Sequence, residues 1–298
     1  MLQDKIFHVY QTSQCDTNVF QFHGDPLITD KLVIVGADGT SGGGVHALDR
    51  FTGKIRWKYP AGRGVVTSIV IMDHHAYAYT LEGQLICLDM DSGLLRWSNA
   101  INAAGYESPT IIDGRIFAGD IEGNVYALDC KTGKTIWRKK INDTVTTAVT
   151  VNGSDLYLGT LTGGIYHLRA EDGTVVSTFQ LESMVYGKPL LTEDSLIVYL
   201  VDEKMNYHSL ISVDLSLEME HWRRKTPENW STTRFLVWED CVVVGTPEGE
   251  VIAYNLRDGI KCWSRTLKGY IRAIGTSDGT IYVGTREGVI YAFDPLSK

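Results

Sequence analysis

The chain has 298 residues, 44% of them hydrophobic, and a net charge of −8. That acidic balance argues against a nucleic-acid partner, which calls for a basic face. The lack of any run of about eighteen apolar residues excludes a membrane-spanning helix, and five cysteines without metal-ligand spacing (Cys15, Cys87, Cys130, Cys241, Cys262) read as mostly free thiols suited to a reducing compartment.

The N-terminal ten residues mix Asp4 and Lys5 with apolar side chains and do not form a signal peptide. A soluble protein is expected, either cytoplasmic or an exported domain whose signal has been removed. Residues 4–8 overlay residues 53–57, with His8 in the place of Trp57. The pattern is clearest in residues 124–137, NVYALDCKTGKTIW. Side chains alternate through Leu128 as a strand requires. Asp129 offers a carboxylate to the N–H groups two or three residues on. Gly133 supplies the positive φ of a short hairpin loop, and a second strand runs back to Trp137.

This unit recurs along the chain. Asp49 leads to Gly53 and Trp57, and Asp89 to Gly93 and Trp97. Arg169 leads to Gly173 with Ser177 in the Trp slot, where Phe179 is expected to fill the space. Asp214 leads to Trp222 without a turn Gly, Asn255 leads to Gly259 and Trp263, and Asp294 begins a seventh copy. The mean step of about 41 residues is the period of four-stranded propeller blades. The sequence therefore predicts an all-β, seven-bladed β-propeller of four-stranded antiparallel blades, one domain over residues 1–298. The blades fall at about 24–60, 65–100, 106–141, 145–181, 185–225, 231–267 and 270–294, the last completed by residues 4–12. Pro26, Pro109 and Pro189 are read as strand starts, and residues 202–208 as an insertion in the fifth blade.

The repeat resembles that of the PQQ-like β-propellers, the family that includes the quinoprotein alcohol dehydrogenases and the BamB-like outer-membrane assembly lipoproteins. The resemblance covers nearly the whole chain. It implies the fold, and among the dehydrogenases it implies PQQ and calcium held beside an adjacent Cys-Cys pair and an Asp base, in eight blades. BamB-like proteins are likewise eight-bladed and exported. This chain has seven repeats and no two adjacent cysteines, so no catalytic residue carries over.

Several local patterns invite a chemical reading. The glycine-rich residues 39–44 lie between strands with no helix to bind phosphate. Residues 89–93 lack the spacing of a calcium loop, and the neighbours His74 and His75 point to opposite faces. Cys87 stands in a slot that other repeats fill with Ala47, Ala127 and Ala253, so it reads as a small core residue. The residues unexplained by the repeat lie at the inner-strand starts, which ring the channel mouth of a propeller. There Asp25 precedes Pro26, while Lys188, Arg234 and Arg272 share the same slot in blades 5 to 7. Tyr106, Tyr186 and Tyr270 come two residues before that slot, and Glu82, Glu122, Glu248 and Glu287 lie on turns at the same end.

The expected function is a non-catalytic binding or scaffold propeller, WD40-like in use, and monomeric. It would present a surface to a protein or peptide partner or a small anionic ligand, without a cofactor of its own. A PQQ-dependent quinoprotein oxidoreductase and a sensor or scaffold domain of a larger multidomain enzyme are the alternatives. If residues 4–12 complete the seventh blade, a chain beginning near Val19 exposes a long strand edge. It should aggregate or lose cooperative unfolding, and an unchanged melting temperature would refute the closure.

Overall fold

The computed structural model describes residues 21–22, 26–39, 42–101, 103–105, 107–202, 207–226 and 235–295. The closing strand expected at 4–12 lies outside them. The described residues form strands alone, with no helix among them. They divide into two compact units, one ending at Pro189 and the other beginning at Leu190.

The first sheet holds β1 (Gln21–Phe22), β2 (Leu27–Ile28), β3 (Leu32–Asp38), β4 (Gly44–Asp49) and β5 (Ile55–Pro60). Both β1 and β2 pair with β3. The second holds β6 (Val70–Met72), β7 (His75–Tyr79), β8 (Gln84–Asp89) and β9 (Leu95–Ala100), and the third β10 (Thr110–Ile112), β11 (Arg115–Gly119), β12 (Asn124–Asp129) and β13 (Thr135–Lys140). The fourth follows with β14 (Thr150–Asn152), β15 (Asp155–Gly159), β16 (Gly164–Arg169) and β17 (Val175–Gln180). The fifth is β18 (Met184–Leu191), β19 (Ser195–Asp202), β20 (Tyr207–Asp214) and β21 (Glu220–Thr226). The sixth is β22 (Leu236–Trp238), β23 (Cys241–Gly245), β24 (Glu250–Asn255) and β25 (Lys261–Thr266), and the seventh shows β26 (Ile271–Ser277), β27 (Thr280–Thr285) and β28 (Ile290–Phe293). The fold is a seven-bladed β-propeller, each sheet one blade. Two readings need correction. Asp202, Tyr207 and His208 belong to strands β19 and β20, so the stretch between those strands is shorter than the expected 202–208. Pro189 lies inside β18, where an edge strand tolerates its missing N–H.

The repeated hairpin is built as its residues dictate. Asp129 Oδ1 accepts from Thr132 N at 2.8 Å and from Thr132 Oγ1 at 2.7 Å. Asp49 and Asp89 hold Thr52 and Ser92 in the same way. These donors keep all three carboxyls below the ordinary carboxylate range, the Ser92 hydroxyl and Arg96 acting together on Asp89. The turn so fixed presents Gly133 at φ 69°.

Gly133 serves the neighbouring blade as well as its own turn. A Cβ there would meet the Trp97 indole at 2.5 Å. Trp97 Nε1 donates to Cys130 O at 3.0 Å, one residue past Asp129. The same docking joins Trp57 to Met90 O and Gly93, Trp137 to Ala170 O and Gly173, and Trp222 to Leu256 O and Gly259. Each indole is thus laid on the bare turn of the following blade and pinned there by one hydrogen bond.

The core lies between successive sheets. Phe117, Val125 and Ala127 of the third blade pack with Leu156, Leu158 and Leu168 of the fourth. Ile34, Val45 and Ala47 of the first pack with Ala76, Ala78 and Ile86 of the second. Trp238, Val243 and Val251 of the sixth pack with Ile271, Ile281 and Val283 of the seventh.

Trp97→Ala removes a large packed aromatic and should cost roughly 3–5 kcal/mol. Gly133→Ala should also destabilise, through the clash and through a left-handed backbone that costs alanine about 1 kcal/mol. The clash disappears when the indole is gone, so the double variant should be more stable than the sum of the two losses implies. Urea unfolding of the four proteins measures this, and strict additivity would show that the two residues do not press on each other.

Candidate functional site

The inner-strand slot residues come into view in two pairs. Tyr186 and Lys188 are alternate residues of β18 and share one face. Tyr186 is half-buried. Lys188 reaches solvent, yet the surrounding protein desolvates its ammonium and holds its pKa below the ordinary lysine value. Arg272 sits at the bulge between Ile271 and Ala273, with its guanidinium 5.3 Å from the centre of the Tyr270 ring. Tyr270 is fixed by its backbone, its N donating to Glu287 Oε2 at 3.0 Å and its O accepting from Arg286 N at 2.7 Å. Asp25, Tyr106 and Arg234 lie outside the described residues.

The turns that carry the rim acids share a second device. Thr80, Asp120, Thr160, Thr246 and Thr285 each accept, on the side-chain oxygen, the N–H of the residue four places on. Two of the glutamates inside these turns reach back to the entry of the inner strand. Glu82 accepts from Arg63 N, as Glu287 does from Tyr270 N. Asp143 makes the mirror contact, accepting from Thr162 N and Oγ1. Backbone donors, its own and that of Tyr270, hold the Glu287 carboxyl below its usual range.

Two acids outside the expected site stand out. Glu107 is half-buried in the slot filled by Thr67 and Thr146 in the neighbouring blades. Thr146 uses its hydroxyl to reach Val185 O. Burial pushes the Glu107 carboxyl up to about 7, with the Ser108 N–H acting in the opposite direction. Asp120 is fully buried. Its oxygens accept from Asn124 N at 2.8 Å, Asn124 Nδ2 at 2.8 Å and Tyr126 Oη at 2.9 Å. Arg138 completes the cluster by donating to Asn124 Oδ1 and lying over the Tyr126 ring. The signal for both acids was a charge in a slot that other repeats fill with Thr.

The remaining chemical patterns resolve into structure. Asp73 and His74 form a left-handed turn, and His75 Nδ1 lies 2.7 Å from Asp73 O. Cys87 is buried, and desolvation pushes its thiol up to about 11. Among the described residues no group of three or more His, Cys, Asp and Glu is placed to hold a metal ion.

Asp155, His167 and Ser177 line up across three strands, with His167 Nε2 2.7 Å from Asp155 Oδ1 and Ser177 Oγ 3.4 Å from His167 Nδ1. Their register explains them. His167 lies opposite Ser177 just as Ala127 lies opposite Trp137, so a His–Ser pair stands where the third blade has an Ala–Trp pair. His167, stacked on Tyr157 at 4.8 Å, faces Ser177, while Phe179 sits further along, opposite Ile165.

The raised Glu107 carboxyl has a definite sign. The fold favours its protonated form, so its cost is absent below about pH 4.5, grows as pH rises and is complete above about 7. The full cost is roughly 2–4 kcal/mol. Glu107→Gln should therefore flatten the decline in stability between pH 5 and 7.5, as followed by urea unfolding at a series of pH values. Equal slopes in both proteins would show that Glu107 ionises freely.

The architecture matches known proteins at low sequence identity. The computationally designed Ika8 protein superposes with a TM-score of 0.74 at 13% identity, covering 90% of this chain and 82% of that one. BamB from Moraxella catarrhalis superposes with a TM-score of 0.62 at 15% identity, covering 93% of this chain and all of that one. No curated protein sequence matches. The family model described as outer membrane protein assembly factor BamB matches residues 41–138, 121–273 and 213–297, which together span most of the chain. The chain belongs to this family of PQQ-type repeat propellers.

Proposed function

We propose that this protein is a non-catalytic binding propeller that engages an acidic segment of a partner protein. The observation that carries the reading is membership of the BamB-type family, whose described member is an assembly factor. It is supported by how completely the repeat residues are used. In the first three hairpins the Asp, the Thr or Ser, the Gly and the Trp hold turns and join blades. Recognition is left to the variable inner-strand entries and rim turns.

The charge pattern at those entries favours an anionic partner surface. Lys188, Arg234 and Arg272 occupy one repeat slot in three consecutive blades of a chain with net charge −8. A desolvated ammonium such as Lys188 gains more from a carboxylate than a fully hydrated one does. Arg272 is held over Tyr270 and offers a guanidinium suited to forked hydrogen bonds. PQQ chemistry is not part of this reading, because the sequence lacks the adjacent cysteine pair that accompanies the cofactor in the quinoprotein dehydrogenases.

Titration with a glutamate-rich peptide, monitored by calorimetry, should show saturable binding that weakens as salt is raised. Lys188→Ala and Arg272→Ala should each weaken it about tenfold or more, a loss of roughly 1.4 kcal/mol. Lys134→Ala, on an exposed hairpin turn, should leave it unchanged. Binding equal in all four proteins would refute the role of these cations. Dye-linked alcohol oxidation in the presence of PQQ and calcium, above a protein-free control, would refute the non-catalytic reading.

A further inference from the structure

The sixth blade places two cysteines against each other. Cys241 opens β23, opposite Asn255 of β24. Cys262 lies on β25, at the bulge where the pairing steps from Ala253–Trp263 to Tyr254–Lys261. The two residues sit on strands separated by β24, yet their sulfurs are only 3.0 Å apart. That is about 1 Å longer than a disulfide bond. The bulge makes this possible by taking Cys262 out of regular register and turning its side chain along the sheet toward β23.

The surroundings divide the pair into unequal halves. Cys262 is exposed and can be reached by a dissolved reagent. Cys241 is buried. Its thiol is pushed up to about 12, by desolvation first and then by the neighbouring Cys262 and the negative charges of Asp240 and Glu239. The other described cysteines, Cys87 and Cys130, are both buried and lie beside Tyr77. Cys262 is thus the thiol open to attack, and Cys241 is held in place behind it.

We propose that Cys241 and Cys262 form a reversible dithiol–disulfide site, oxidised by small-molecule disulfides, that ties β23 to β25 across the sixth blade. In the first step the Cys262 sulfur, having lost its proton, attacks one sulfur of the small disulfide. A mixed disulfide forms and one thiolate leaves, taking up a proton. In the second step Cys241 gives up its proton, and its sulfur attacks the Cys262 sulfur and expels the second small thiol. One disulfide is consumed, two small thiols are released and one protein disulfide is made, so electrons and protons balance. Closing the last ångström is a displacement that a bulged outer strand can absorb.

The full chain is incubated with oxidised glutathione under native conditions. Its thiols are counted with a maleimide, and unreduced peptides are mapped by mass spectrometry. The site predicts that the thiol count falls by two, that a peptide joining Cys241 to Cys262 appears, and that dithiothreitol reverses both. Closing a loop of about twenty residues should also raise the melting temperature by several degrees. Cys241→Ser should stop the reaction at a glutathione adduct on Cys262. In the unsubstituted chain, a lasting adduct on Cys262 without cross-link, or an unchanged thiol count, would overturn the proposal, and neither result depends on the folding of a variant.

Discussion

A tryptophan indole resting on a glycine turn is the contact on which this propeller depends. The indole is flat and carries one hydrogen-bond donor, so its ideal partner is a surface with no Cβ and one carbonyl. The turn of the next hairpin provides both, because its Asp carboxylate ties down the N–H groups and sets the glycine in a left-handed conformation. A packed tryptophan of this size contributes roughly 4–6 kcal/mol of gross burial energy, before the entropy of ordering it is subtracted. The dependence is directional. A carboxylate in one blade shapes the turn that receives the indole of the blade before it.

Departures from the rule come in matched sets. Where the indole is lost at Ser177, the opposing position is His167 instead of Ala, which adds a ring there and gains an imidazole–carboxylate contact with Asp155. The next hairpin along the chain is the one without a turn glycine. Its left-handed residue is Leu217, and Asp214 still gathers the N–H groups of Glu218 and Met219. Further on, Trp263 packs edge-on against Trp238 and Phe293, and its Nε1 finds no acceptor among the described residues. In the repeat, the indole slot at Ser177 and the turn slot at Leu217 are the two halves of one docking pair, and both are lost together.

The fold was largely legible in the sequence, because alternation and turn chemistry are local properties. Asp129, Gly133 and Trp137 announce a hairpin without reference to the rest of the chain. The partner of Trp97 was not legible. It lies 33 residues on, and periodicity reports only the two faces of a residue's own sheet. The same limit hid the Cys241–Cys262 contact, which exists only once a bulge has shifted one strand. Residues 202–208 read as one insertion because an excess over the repeat does not say where the flanking strands end. The candidate site was legible as a slot shared by Lys188, Arg234 and Arg272, since that needs alignment alone. The burial that sets Glu107 and Asp120 apart comes from packing that no single repeat encodes.

The docking of Trp97 on the turn of Gly133 also bears on how such a chain can grow or shrink. Between Gly53 and Gly173 any stretch of one whole repeat carries one indole and one platform, whatever point in the cycle it starts from. Duplicating or deleting such a stretch leaves donors and acceptors balanced at the junction, since the indole before it still meets a platform after it. A stretch of half a repeat leaves either an indole with nothing beneath it or a bare turn with nothing above. Unequal recombination in the gene is therefore filtered by the protein into steps of one blade. Blade number can drift through the descent of the family while the contact between blades stays fixed.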